Sequence, residues 1–467
     1  MKKIISIMLA AVMAIGMLSG CGEKKNAGLT EDGKILLTVG NWPDPEANPT
    51  GYDTAMKRKE AFEEKYPEIH VEPDYWKYDT QTFVAKAEGE TLPVIYNTFA
   101  TEAKKIMDLG YAADITDIME QYGYLDLMTE EIKELVTRDG RVYMIPTSIY
   151  TLGLVMNLNL FREAGLVGEN GMPEIPETFE DLRRIAKTIH DKTGKAGFVF
   201  PTTGNGGGWN FMPLAWSYGG TFMTQEKEGW KATFGSAEVS DALQLLRDMQ
   251  WEDGSMPATT LVNNDDVMKL VGTDQAAMAF AHPGQVDLLV SQYSMDCANI
   301  GYAKMPEGPE KRVTLMGGGY NVIAPNATPE QIDAAIKWMD FSGNTPKTEL
   351  TDEIKANIRT TYETKIKEKS GVVGIKDLSF WKDEEATQHY KNEVISELRN
   401  INENQVASYN DKSGIEYQAE EPMKTQDLYS ILDSCIQEVL TNKDASCSDV
   451  INKAASDFQN NHLNSAN

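Results

Sequence analysis

Asp139-Gly140-Arg141-Val142-Tyr143-Met144-Ile145-Pro146-Thr147-Ser148-Ile149-Tyr150-Thr151-Leu152-Gly153-Leu154-Val155-Met156-Asn157 is the stretch that decides the fold. A turn at Asp139-Gly140 starts a short strand from Val142 to Ile145, which Pro146, lacking a ladder donor, is expected to end. The run from Ile149 to Met156 is apolar and partly β-branched or aromatic, the pattern of a strand buried on both faces. Asn159 then caps a short helix that Gly165 closes. Two strands joined through Pro146-Thr147-Ser148 describe a chain crossing between two bodies.

The rest of the chain has the length for two bodies. At 467 residues, with 41% hydrophobic and 25% charged residues, it can form two domains with substantial cores. The net charge of −27 disfavours nucleic acid and anionic membrane surfaces as partners. Lys2-Lys3, the apolar run Ile4 to Leu18, and Leu18-Ser19-Gly20-Cys21 read as a secretory signal peptide over 1–20 ending in a lipobox, with Cys21 as the acylated residue. That apolar run is shorter than the roughly 20 residues a bilayer span requires. The polar segment 21–33 then forms a lipidated tether. Cys297, Cys435 and Cys447 remain, without metal spacing or a Cys-x-x-Cys pair; a Cys435–Cys447 bridge and idle buried thiols are both open.

Ile35 to Val39 reads as the first core strand and runs into Gly40-Asn41-Trp42-Pro43-Asp44. Ligands of open α/β sheets bind at the carboxyl ends of strands, which places Trp42 and Asp44 at a candidate site. Val94-Ile95-Tyr96 is another strand, followed by Asn97 and Thr98. The glycines from Gly204 to Gly208 lack the Lys-Ser/Thr of a phosphate loop; they let the backbone turn sharply or approach a ligand before Trp209-Asn210. Thr178 with Asp181 forms a reciprocal helix cap, and Ser236 starts another helix.

Asp139-Gly-x-x-Tyr-x-x-Pro, an apolar run ending in Asn157, and x-x-x-Phe161-x-x-Ala164-Gly165-Leu166 resemble the sugar-type extracellular solute-binding proteins of ABC transporters, a family that includes the maltose-binding protein. Pro176-Glu177-Thr178-Phe179-Glu180-Asp181-Leu182 matches where that family resumes with Pro-x-Thr-Trp-x-Glu-Leu. Gly272 to Gln285 is similar to its Gly-x-Ala-Ala-Met strand and following loop. Where the family commonly has Trp, this chain has Gly284-Gln285, so His282 and Gln285 are the available ligand groups. Met316 to Ile323 resembles the glycine-rich return strand, bringing in Tyr320 and Asn321. Met156 replaces a usual Tyr, which leaves a contact from that position open.

The resemblance implies a two-lobed periplasmic-binding-protein-like α/β fold of type II, its lobes joined by a multi-strand hinge with crossings near Pro146, Ala281 and Gly319. The expected lobes are 34–147 plus 282–318, and 148–281 plus 319–467. It further implies a monomer, anchored by lipid at the outer face of a bacterial cell membrane, that hands a carbohydrate to ABC permease subunits. A sugar offers flat C–H faces and a belt of hydroxyls, so its site needs aromatic plates and bidentate polar side chains. Trp42, Tyr150, Trp209 and Tyr320 supply the plates; Asp44, Asn97, Thr98, Asn210, His282, Gln285 and Asn321 supply the polar groups. A phosphate or carboxylate ligand would call for Arg, and near these loops only Arg141 is found. A glycosidase would need two facing carboxylates, and no acidic pair sits in a recognisable catalytic motif. The five histidines are too dispersed for a metal pair on one helix, and Gly-x-Ser-x-Gly is absent. The expectation is a binding protein, not an enzyme, with neither cofactor nor metal.

Overall fold

A computed structural model describes residues 28–464, apart from 47, 81, 169–170, 228, 347–348, 377, 380 and 383–384. Cys21 and the signal segment lie outside the described residues. Among the described residues, nine strands make up the two larger sheets: β1 (Ile35–Val39), β2 (Ile69–Pro73), β3 (Ile95–Phe99), β4 (Met144–Thr151), β5 (Gly153–Asn157), β6 (Met278–Ala281), β7 (Ile300–Lys304), β8 (Val313–Ile323) and β9 (Glu416–Ala419). One sheet has the order β9-β8-β3-β1-β2, with β4 also paired to β8. β1 runs parallel to β2 and β3, as crossover helices require, whereas β8 is antiparallel to β3 and β4. The second sheet is β6-β5-β7, antiparallel throughout.

The cores assign the lobes. Leu37, Val71, Tyr96, Met144 and Ile145 pack with Tyr320, Val322, Ile336 and Trp338 in the first. Leu154, Phe161, Phe211, Met278, Leu315, Leu432 and Phe458 belong to the second, and Val155, Ala281, Leu289 and Ile300 form a further cluster on the other face of the same β6-β5-β7 sheet. The chain passes from the first core at Ile145 through β4 to the second at Leu152, and β8 runs from Leu315 of the second core to Val322 of the first; at Ala281 there is no such change of core. Ala281 is buried within the second body, because β6 pairs with β5 and the helix Pro283–Ser291 returns Val286 and Leu289 to the same side. Residues 282–318 therefore lie with the second lobe and 319–341 with the first, the reverse of the expected division.

Two local expectations are also corrected. β4 runs through Pro146, because the ladder slips between Gly319 and Tyr320 and a bulge removes the need for a donor there. The helix after β5 (Leu158–Glu163) is capped by Asn157, whose side chain accepts from the Asn159 and Leu160 amides, so Asn159 lies inside it. Thr178 and Asp181 do form the reciprocal cap of Phe179–Thr193, and Ser236 caps Ala237–Trp251. Cys297, Cys435 and Cys447 are free and buried, and burial pushes the Cys435 thiol up to about 12.

Candidate functional site

Successive residues of a strand face opposite sides, so Tyr320 and Asn321 of β8 open on two different environments. On the Asn321 side, Asn97 of β3 stands directly opposite and donates Nδ2–H to Asn321 Oδ1 at 2.6 Å. Together with Trp42, Thr147, Arg58 and Trp338 they line a hollow of about 480 Å³. Trp42 is only 3% exposed, and its ring stacks on Trp338 with centroids 6.0 Å apart and planes at 24°. It packs as a core residue of the first lobe, because the helix Pro329–Phe341 covers it, and not as the open plate expected of it. Asp44 is exposed and accepts the Glu46 amide at 2.8 Å, a turn at the rim.

The Tyr320 side gathers the second group. Tyr150 of β4 lies opposite Gly317, where a Cβ would meet its ring at 2.6 Å, so the glycine lets the aromatic lie flat on β8. The Tyr150 ring packs on His282 at 4.8 Å between centroids, and Trp209 stands edge-on to both, at 6.2 and 6.3 Å. Glu420, the residue after β9, accepts the Tyr429 hydroxyl at 2.7 Å and lies beside the Trp209 indole. Ser148, Ile149, Gly317, Gly318, Tyr320 and Glu420 enclose about 30 Å³, space for about one water. Beside this group a larger cavity of about 640 Å³ opens between the lobes, with Thr101 and Glu102 on the first and Asn205, Pro422 and Gln426 on the second. Gln426 spans it, donating Nε2–H to Thr101 Oγ1 at 3.4 Å.

Burial sets the charge states. It raises the Glu420 carboxyl to about 7, aided by the like charge of Glu102 and opposed by the Tyr429 hydroxyl and the Trp209 indole. It lowers His282 to about 4, so the imidazole is neutral near pH 7 and packs as a flat ring. Tyr150 and Tyr320 are pushed up by burial first and by Glu420 second, and remain hydroxyl donors. Glu102 is buried, accepting Tyr78 Oη at 2.7 Å and Lys105 Nζ at 3.0 Å.

Of the sequence-predicted residues, the structure brings Tyr150, Trp209, His282 and Tyr320 together around Glu420, and holds Trp42, Asn97 and Asn321 on the opposite side of β8. Three others serve the fold. Asn210 donates to the Gly206 carbonyl at 2.8 Å and to Asn264 Oδ1 at 3.2 Å within the second lobe. Gln285 Oε1 accepts the His282 amide at 3.0 Å and so caps the helix it belongs to, which removes it as a ligand group. Thr98 is buried beside the Tyr78 hydroxyl. Met156 is fully buried. Arg141 is engaged by Asp114 at 2.5 Å and Asp117 at 2.8 Å.

Sequence reasoning missed Glu102, Glu420, Gln426 and Tyr429. Glu102 stands five residues beyond Asn97 at the start of a helix, a placement that could have marked it; Glu420 is one acidic residue among many and acquires meaning only through Trp209 and Tyr429. The glycines at 204–208 also resolve. They open the helix Gly206–Ser217, whose first amides are taken by a carboxylate of the protein itself: Asp433 accepts from Asn205 N and Gly208 N, both at 2.7 Å. A side chain on Gly208 would overlap the Tyr429 main chain, so this glycine brings Trp209 and Tyr429 to the same carboxylate. Among the described residues no group of three or more His, Cys, Asp or Glu is arranged to hold a metal, and no helix is long and apolar enough to cross a membrane.

Residues 46–346 match the family model described as bacterial extracellular solute-binding protein. The chain is 23% identical over 389 residues to the maltodextrin-binding protein MdxE of Bacillus subtilis (strain 168), covering 76% of this chain and 81% of that protein. Among solved structures, maltose-bound MalE3 of T. maritima superposes with a TM-score of 0.65 at 19% identity, covering 91% of this chain and 99% of that one. UgpB from Mycobacterium tuberculosis, in complex with glycerophosphocholine, superposes at 0.68 and 15% identity, covering 91% and 98%. These neighbours share the two-lobed periplasmic-binding-protein fold found here. With the match extending over more than half of its length, the chain belongs to the bacterial extracellular solute-binding protein family.

Proposed function

We propose that the protein is the carbohydrate-capturing component of an ABC importer, which holds a mono- or oligosaccharide between its lobes and hands it to a membrane permease. The observation that carries this reading is the group Tyr150, Trp209 and His282 around Glu420 at the two crossing strands: aromatic faces for the C–H surfaces of a sugar, and a carboxylate to accept from its hydroxyls. The maltodextrin-binding name of the Bacillus subtilis relative and the maltose bound to MalE3 support the same ligand class. In this structure the rings pack on one another, so a sugar has to enter while the lobes are apart and replace those ring contacts as they close. A ligand shifts that equilibrium only through contacts that are better in the closed form.

The finer parts of the reading follow from the sequence. Cys21 carries a lipid anchor that holds a monomer at the outer face of the cell membrane, and Cys21→Ala releases it; retention of that variant in the membrane fraction contradicts the anchor. The protein binds and does not turn over, so a stabilising sugar is recovered intact by chromatography. A thermal-shift screen of mono- and oligosaccharides tests the main claim, because a ligand at 100 times its Kd adds about 2.7 kcal/mol of stability. The account expects at least one saccharide to raise Tm; stabilisation by amino acids or peptides alone would contradict it.

A further inference from the structure

Glu420 is the polar centre of the candidate site, and the groups that act on it are all neutral or negative. From the helix Thr425–Thr441 comes the Tyr429 hydroxyl, from Gly206–Ser217 the Trp209 indole, from β4 and β8 the hydroxyls of Tyr150 and Tyr320, and from the first lobe the Glu102 carboxylate. His282, the one imidazole in the group, is neutral. Lys105, the ammonium near Glu102, is bonded to Glu102 itself. Glu421, next in the chain, is a buried carboxyl near the Trp216 indole. The closed site therefore presents carboxylates from both lobes and aromatic faces between them, and lacks a cation on Glu420 among the described residues.

We infer that the site selects a saccharide bearing a protonated amino group over its neutral counterpart and rejects the acidic counterpart, with Glu420 as the residue that sets this preference. The inference rests on the carbohydrate reading above and names its ligand class. An ammonium seated against Glu420 gains a charge-assisted hydrogen bond and the faces of Trp209 and Tyr150. A uronate or phosphate seated against Glu420 would meet like charge, since Lys105 and Lys424 line the neighbouring inter-lobe cavity, Lys105 bonded to Glu102, and neither is bonded to Glu420. Burial raises the Glu420 carboxyl to about 7, so it is protonated in much of the free protein at neutral pH. The preference for the amine grows as pH rises through that value, for as long as the amine stays charged.

The test uses one α-1,4 trisaccharide series differing at C6: maltotriose, its 6-amino-6-deoxy form and its uronate form, with the three monosaccharides alongside. Binding is followed by calorimetry at pH 5.5 and 8.0 for the full chain without its signal segment. Wild type is expected to bind the amine at least tenfold more tightly than maltotriose at pH 8.0, with a smaller ratio at pH 5.5, and to bind the uronate most weakly. Glu420→Gln, isosteric and uncharged, is expected to bring the amine and hydroxyl forms within about threefold at both pH values. Glu102→Gln, remote from Trp209, is expected to reduce the ratio partially and keeps the test informative if Glu420→Gln folds poorly. Equal or tighter binding of maltotriose by wild type overturns this inference and leaves the carbohydrate reading intact. A tenfold preference that survives in Glu420→Gln overturns the assignment to Glu420. Failure of all six compounds to bind overturns both the inference and the reading beneath it.

Discussion

The two sides of β8 make an instructive pair, because each holds a tryptophan and polar side chains that look alike in the sequence. On the Asn321 side the groups pack on their own lobe: Asn97 donates to Asn321, and Trp42 lies on Trp338 inside the first core with its indole N–H unpartnered. On the Tyr320 side they are under tension: the half-buried Glu420 carboxyl has no cation on it among the described residues, an imidazole is held neutral, and Trp209 is only partly covered. Residues engaged within their own lobe stabilise the fold; residues left poised can exchange their contacts for those of a ligand. The difference arises from neighbours distant in sequence. Pro329–Phe341 covers one side, and the segment following β9 supplies the carboxyl of the other.

The sharpest break in the comparison comes from the two tryptophans. Trp42→Ala empties a core position and is expected to cost about 3–5 kcal/mol of stability, read by chemical denaturation. Trp209→Ala is expected to cost little stability but about 1–3 kcal/mol of binding, roughly a 5- to 150-fold rise in Kd by calorimetry. If the two costs are exchanged, the sides have been assigned the wrong way round.

Ionisation gives the next contrast. Glu420 and Glu421 are both raised to about 7 from 4.5, so burying them is without cost below the unfolded value and destabilises progressively as pH rises to 7. His282, lowered from 6.5 to about 4, has the opposite slope: the unfolded chain takes up its proton first, and stability is lost as pH falls from 6.5 to 4. Glu420→Gln should therefore exceed wild type by about 1–2 kcal/mol at pH 8 and match it at pH 4, after partial solvent screening of the charge. His282→Gln should gain on wild type only below about pH 6. Urea titrations at four pH values measure both slopes. The smallest effect is expected on the Asn321 side, where Asn97→Ala leaves one amide partly unpaired and should cost about 1 kcal/mol with ligand affinity unchanged.

Much of this architecture was legible in the residues. The apolar run before Asn157, the reciprocal cap at Thr178 and Asp181, and the glycine-rich return before Tyr320 are local patterns with local causes, and they led to β5, to Phe179–Thr193 and to β8. What failed was non-local. Ala281 looked like the end of a crossing strand because its partner β5 is more than 120 positions away in sequence and cannot be seen from either segment alone. Pro146 looked like a strand end because the compensating bulge lies in β8. Within the candidate site, Tyr150, Trp209 and Tyr320 were singled out by residue type and by place in post-strand loops or at crossings, His282 by the family resemblance, and the structure brings the four together. Trp42 satisfied the same rule and proved to be core. Gln285 was misjudged because its amide closes a helix cap three residues back, and Glu420 was passed over because its environment is assembled from five separate elements.

Hydrogen–deuterium exchange with and without the saccharide that gives the largest thermal shift tests the central claim most directly. The account predicts added protection in peptides covering residues 204–214, 281–286 and 417–430, which carry Trp209, His282 and Glu420, with little change at 41–58 and 338–344 around the Trp42 hollow. Protection confined to 41–58 and 338–344 would contradict it.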